Sequence, residues 1–245
     1  MISAARTVIA LLFAVIATPV GASIFFPWTW LTGSADALYA TAMWIARTGL
    51  RLAGVHMQVE GKEQIDPAAT YIFMCNHVSN LDPPILLVNL PRRSSVLVKK
   101  ELFQIPILGR AMRLGDLVPV DRRNREAAVN SMRDAEAVMG RGLNMMVFPE
   151  GTRSRDGRLL AFKKGPFYLA MDSGVPVVPV TILGSETLMP KGSILIYPGT
   201  VRLVFHKPLL PSQFSDKEEL VAATQREIAS ALPPALREAD LHTAS

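Results

Sequence analysis

A chain of 245 residues can hold one sizeable core, or one core with a small appendage. With 49% apolar and 19% charged residues it has ample material to bury, which argues against disorder. Its single cysteine excludes an intramolecular disulfide or a cysteine-based metal cluster within one chain. The net charge of +5 points to an anionic partner, with nucleic acid, a membrane surface and a phosphorylated substrate all open.

In chain order, the first element is apolar. No charged residue lies between Arg6 and Asp36, and 8–16 is almost continuously apolar, long enough with its neighbours to span a bilayer. Pro19, Gly21 and Pro27 are expected to break or kink a helix there, so an interfacial or re-entrant hairpin is the competing reading. Phe25, Phe26, Trp28 and Trp30 end the run, where an aromatic belt belongs. A cleaved signal peptide is a third reading, with small residues near Ala22 for a protease but only Arg6 as positive charge. Next, Leu38, Ala42, Ile45, Gly49 and Leu52 follow helical spacing, beside Met43, Ala46, Leu50 and Ala53. With Trp44, Arg47 and Arg51 on a neighbouring stripe, this suits a helix lying among lipid headgroups. An ordinary amphipathic helix packed on the domain reads the same way. Residues 1–54 are therefore assigned as a membrane-associated helical hairpin or anchor, and 55–245 as an α/β domain.

From residue 55 short apolar runs alternate with helical segments. Strands are expected at 55–60, 70–75, 95–98, 117–120, 143–148, 177–183, 194–197 and 201–205. A helix is expected over 124–139, with Ala128, Met132, Ala135 and Met139 on one face. Another closes the chain over 215–232, capped by Ser215. The fold class is α/β: a central, largely parallel mixed sheet flanked by helices. There is no internal repeat and no GxGxxG or GxxxxGKS phosphate loop, so the usual nucleotide enzymes are not indicated.

Two segments carry chemistry. In Asn76-His77-Val78-Ser79-Asn80-Leu81-Asp82-Pro83-Pro84, Asp82 is a natural cap for a helix over 83–90, because proline suits a first turn. His77 then lies in the connection after a strand, where α/β sheets place their sites. A strand–loop–helix turn lets Asp82 fold back, hold one ring nitrogen of His77 and leave the other free for a proton. Taken alone, the pair favours a cap and a loop histidine, since capping needs no chemistry. Ser79 is too close in sequence to build a serine triad, and Cys75 reads as a small buried residue. The four histidines offer no HExxH or second cluster, so no metal site is assigned.

The second segment, Phe148-Pro149-Glu150-Gly151-Thr152-Arg153-Ser154, stops a strand with proline and offers a glycine for close backbone approach. Thr152 and Arg153 supply a hydroxyl and a planar guanidinium for phosphate oxygens. Lys163 and Lys164 follow, although a solvated basic loop has the same composition. Arg122, at the end of Val118-Pro119-Val120-Asp121-Arg122, either reaches the same anion or pairs with Asp121 or Glu126. The basic residues lack interleaved aromatics, and nucleic acid is not expected as a partner.

Asn76-His77 with Asp82 resembles the NHxxxxD motif of glycerolipid acyltransferases, the family that includes bacterial 1-acyl-glycerol-3-phosphate acyltransferases (PlsC-like). Phe148 to Ser154 is similar to that family's FPEGTRS block. Leu117 to Arg122 resembles its arginine-bearing second block and Val175 to Val180 its VPxxPV block, all in order across roughly residues 70 to 182. The second block departs from the usual FIDR or FIxR, reading Pro119-Val120-Asp121-Arg122.

The resemblance implies 1-acylglycerol-3-phosphate O-acyltransferase activity: His77, oriented by Asp82, activates a lipid hydroxyl against an acyl thioester. It implies that Arg153, with Glu150, Gly151 and Thr152 shaping the loop, holds the acceptor phosphate, helped by Arg122 and Lys163. The fourth block would line the acyl or thioester channel, or be plain core. Lysophosphatidic acid is the implied acceptor, and acyl-CoA or acyl carrier protein the co-substrate, with no further cofactor. Cytosolic donors imply a cell-membrane protein whose catalytic domain faces the cytoplasm. Glycerol 3-phosphate or another lysolipid is the alternative acceptor, and a non-catalytic anionic-lipid-binding protein the alternative class.

Overall fold

The structure is a computed structural model that describes residues 2–121, 125–190 and 192–237, with only the backbone described for 125–129. Two helices open the chain, α1 (Ile2–Thr32) and α2 (Asp36–Ala53), and pack side by side as a hairpin. The expected break in α1 does not occur, because Pro19 and Pro27 both lie inside one continuous helix. An interior proline costs about 3 kcal/mol in an isolated helix, and here packing against α2 offsets it. Gly21 is a contact residue rather than a breaker, since a Cβ there would come within 3.1 Å of Thr41 Cγ2 on α2. On the other side, Val8, Ile9, Leu11, Leu12, Val15 and Ile16 are each more than half exposed.

Helix α2 uses its predicted apolar stripe, burying Leu38, Leu50 and Ala53. Its Arg47 donates to the Val88 carbonyl at 2.5 Å, and Trp44 meets Phe13 of α1 edge-on at 5.6 Å. The helix is thus packed on the domain, with its aromatic edge turned to α1.

The rest alternates: β1 (Val55–Glu60), β2 (Ile72–Cys75), α3 (Asp82–Leu87), β3 (Ser94–Lys99), α4 (Leu108–Leu114), β4 (Val118–Val120), α5 (Arg125–Gly140), β5 (Asn144–Val147), α6 (Gly165–Ser173), β6 (Val177–Leu183), α7 (Ser185–Leu188), β7 (Gly199–Phe205) and α8 (Lys217–Ser230). Among the described residues the strands form one sheet in the order β1-β7-β6-β2-β5-β3-β4, parallel throughout except between β6 and β7. Both faces are covered, so the central strands are apolar on both. Phe73 and Cys75 of β2 face Leu50, Ala53, Ile85 and Leu86 of α2 and α3. Ile72 and Met74 face the opposite layer, where Ala135 and Met139 of α5, Phe167 of α6 and Leu220 of α8 are buried.

Two local expectations are corrected. Residues 194–197 form an irregular connection instead of a strand. The Ile196 N–H is taken by Thr7 Oγ1 of α1 at 2.9 Å, so no ladder forms there. The cap of α8 is Asp216, whose carboxylate accepts the Glu219 N–H at 2.9 Å. Ser215 instead donates its N–H and hydroxyl to the Glu219 carboxylate, giving a reciprocal box that closes one residue later than expected.

Candidate active site

Strand β2 lies between β5 and β6, and the chain leaves its carboxyl end at Asn76. The Asn76 amide then takes the place of a further strand residue. Its Nδ2 donates to the Ile182 carbonyl at 2.9 Å, and its Oδ1 accepts the Ile182 N–H at 2.8 Å. This pins the start of the His77 loop to β6. The His77 backbone is held from the other side, its N–H donating to Glu150 Oε1 at 2.7 Å and its carbonyl accepting the Ser154 N–H at 2.8 Å. The FPEGTRS segment therefore positions the histidine as well as bordering the site.

The His77 ring stacks on Phe148 with centroids 4.1 Å apart, and its Nδ1 lies 2.8 Å from Asp82 Oδ2. The same carboxylate oxygen accepts the N–H groups of Val78 and Ser79 at 2.7 Å each, while Oδ1 accepts the Ser185 hydroxyl at 2.5 Å. Asp82 is fully buried, and four donors converge on it. An ionised carboxylate only accepts, so Nδ1 carries the ring proton and Nε2 presents a lone pair. Nε2 takes no hydrogen bond from the described residues, and His77 is 9% exposed.

Asp82 is not the cap that its sequence context suggests. Helix α3 begins at Asp82 itself, Leu81 stands at the cap position without a side-chain bond, and the carboxylate turns back to the loop it follows. Ser79 takes no part in a triad, since its hydroxyl donates to the Met189 carbonyl at 2.8 Å. Cys75 is buried, and burial followed by the nearby Asp82 charge pushes its thiol well up, which leaves it unreactive.

Glu150 does not stand at an open phosphate site. Only 2% of it is exposed, and its second oxygen accepts the Leu160 N–H at 3.2 Å. Burial pushes its carboxyl from the usual 4.5 up to about 8, against the pull of those two N–H donors. Because the folded pKa lies above the unfolded one, the stabilisation is complete below about pH 4.5 and is lost as pH rises through about 8. Between those limits stability is expected to fall by about 1.4 kcal/mol per pH unit from this group. Thermal midpoints from pH 5.5 to 8 should fall more steeply with pH in the wild type than in Glu150→Gln. Parallel slopes would contradict it.

Gly151 has φ +70, and a Cβ there would lie 3.4 Å from Lys163 Cγ, so glycine lets the loop close on Lys163. Thr152 and Lys163 are exposed and Arg153 is half-buried. Arg122 lies outside the described residues. A cavity of about 270 Å³ opens beside this loop, lined by Leu97, Val120, Met132, Val147 and Phe148, with Gly151 and Lys163 at its polar end. Phe148 thus forms both the bed of His77 and a wall of the apolar cavity. The VPxxPV block lines none of it. Val177, Val178 and Val180 are core, and the contribution of β6 is to deliver Ile182 to Asn76 and Ser185 to Asp82. Gly184, at φ +95, makes that turn, since a Cβ would meet the Thr200 carbonyl oxygen at 2.8 Å. Ser185 carried no sequence signal, because it lies 103 residues from the aspartate it touches.

An imidazole with its Nε2 open, an apolar cavity and a basic loop thus stand at one edge of the sheet. The chain belongs to the Acyltransferase family, whose model matches residues 56–183. It is 30% identical over 196 residues to a 1-acyl-sn-glycerol-3-phosphate acyltransferase of Cocos nucifera, covering 80% of this chain and 62% of that protein. It is 37% identical over 178 residues to one of Chlamydomonas reinhardtii, covering 72% and 53%. These matches span about half to two-thirds of the relatives' own length. The crystal structure of PlsC, the 1-acyl-sn-glycerophosphate (LPA) acyltransferase of Thermotoga maritima, has a similar fold, with a TM-score of 0.77 at 29% identity over 92% of this chain and 94% of that one.

Proposed function

We propose that this protein transfers a fatty acyl chain from acyl-CoA or acyl carrier protein to the sn-2 hydroxyl of 1-acyl-sn-glycerol 3-phosphate, forming phosphatidic acid. The observation that carries the reading is the His77–Asp82 pair, with Nδ1 bound to a buried carboxylate and Nε2 open. The acceptor hydroxyl oxygen attacks the thioester carbonyl while Nε2 takes its proton. The tetrahedral adduct then collapses, the C–S bond breaks, and the imidazolium returns the proton to the leaving thiolate. Asp82 stabilises the transient imidazolium. A positioned base contributes about 10²–10⁴-fold, and holding hydroxyl and thioester together supplies more. Arg153 and Lys163, beside Gly151 and Thr152, are the cations for the acceptor phosphate, and the apolar cavity suits an acyl chain. The chemistry is complete with the thioester as co-substrate and calls for no further cofactor.

The relatives' names support the acceptor, and α1 supports membrane association, being apolar and long enough to cross a bilayer. Helix α1 is nevertheless tied to the catalytic domain near both ends, by Thr7 to Ile196 and by Phe26 to Arg110. Those ties are roughly 28 Å apart along the helix, close to the thickness of the hydrocarbon layer. A crossing helix would have to carry the domain through the bilayer with it, so α1 lies in the plane of one leaflet. Cytosolic donors make that leaflet the cytoplasmic one. Purified protein given lysophosphatidate and oleoyl-CoA should release free CoA in step with phosphatidate, and prefer that acceptor over glycerol 3-phosphate and lysophosphatidylcholine. Lipid binding without CoA release would replace the enzyme reading with that of a lipid-binding protein.

A further inference from the structure

We propose that two loops of the catalytic domain, 102–108 and 194–197, insert into the lipid interface beside α1, so that the protein docks on the membrane through one composite surface. The proposal rests on membrane association and is independent of the reaction assigned to His77.

The first loop joins β3 to α4. Leu102, Ile105, Ile107 and Leu108 are each 41–43% exposed, an apolar cluster at odds with water. Ile107 is held at φ +63, an unusual conformation for a β-branched residue. Arg110 and Arg113 follow the cluster, a cationic border of the kind that suits anionic headgroups above acyl chains. The loop also adjoins α1. Arg110 lies over the Phe26 ring at 5.7 Å, and a groove of about 600 Å³ between them is lined by Pro19, Ala22, Phe26, Trp30, Ile107 and Arg110. Trp30 is 82% exposed on the α1 side of this groove. Apolar floor, aromatic rim and guanidinium together match a lipid whose phosphate sits at Arg110.

The second loop adjoins the other end of α1. Ile194 is 77% exposed and Tyr197 45%, although the backbone between them is bonded to Thr7. Along α1 the exposed apolar residues from Val8 to Ile24 lie between the ties at Thr7 and Phe26, and they would join the two loops into one surface. Among the described residues the opposite layer of the sheet, α5, α6 and α8, offers no such run, and α8 is charged along its exposed side. Seating the second loop in lipid also brings the base loop near the membrane, because the Tyr197 N–H donates to the Leu188 carbonyl and the neighbouring Met189 carbonyl accepts the Ser79 hydroxyl.

The test uses the full chain with a single environment-sensitive fluorophore. Cys75 is fully buried, so an NBD label goes to the introduced cysteine in Ile105→Cys, Ile194→Cys, Ile16→Cys or Arg226→Cys. Probes at 16, 105 and 194 are expected to shift blue on mixed phosphatidylcholine–phosphatidylglycerol vesicles and to be quenched by lipids carrying doxyl groups on their chains. The probe on α8 should do neither. A response at 105 or 194 that matches 226, while 16 reports insertion, removes that loop from the surface and overturns the proposal. A second variant guards against labelling artefacts: Ile105→Asp with Leu108→Asp should weaken vesicle partitioning about tenfold or more at an unchanged thermal midpoint. Unchanged partitioning would likewise overturn it.

Discussion

His77→Ala is expected to lower CoA release from lysophosphatidate and acyl-CoA by about 10²–10⁴-fold. The loss should fall on kcat, because the ring supplies a proton acceptor and the phosphate is held elsewhere. The fold should survive. Asp82 keeps the Val78 and Ser79 N–H groups on Oδ2 and the Ser185 hydroxyl on Oδ1, so removing the ring leaves no buried charge without a partner. Phe148 loses its stacking neighbour, worth about 0.5–1.5 kcal/mol beyond burial. A well-folded variant with near-normal turnover would remove His77 from the mechanism.

Asp82→Asn is expected to cost nearly as much, about 10²–10⁴-fold in kcat, with the acceptor KM little changed. The amide is isosteric but brings no charge to stabilise the imidazolium. Its NH₂ must also face either Ser185 or the cluster of three N–H donors now gathered on Oδ2. Turned toward Ser185, it preserves the ring geometry and isolates the charge effect. Ser185→Ala is the milder companion, removing one donor of four and expected to slow turnover by roughly tenfold through a less well-held carboxylate. Were Asp82 only a helix cap, Asp82→Asn would leave turnover intact and cost at most about 1 kcal/mol of stability. The kcat measurement separates these outcomes.

The elements were largely legible where the local pattern is strong. The period-3.6 stripe of α2 and the apolar run of β6 survive into the fold with little change, because these segments bury the residues their pattern marks. The misreadings share one cause, a long-range partner that overrides a local preference. Pro19 and Pro27 read as breaks, yet α2 supports α1 through both. Residues 194–197 read as a strand, yet the Ile196 N–H belongs to a threonine 189 residues away. Asp82 read as a cap, yet its oxygens serve the loop behind it and a serine that opens α7 just after β6.

The amino-acid order by itself determined the α/β class, the apolar character of the entry segment, and the candidate pair His77 and Asp82, because periodicity and short motif spacing act within a few residues. It could not determine what holds that pair in place. Asn76 reaches Ile182 across 106 positions, the His77 N–H reaches Glu150 across 73, and Asp82 reaches Ser185 across 103. Only the folded sheet brings those groups within hydrogen-bond distance. Parallel strands place their carboxyl ends together regardless of their separation along the chain, and that shared edge is where a loop histidine becomes an oriented base.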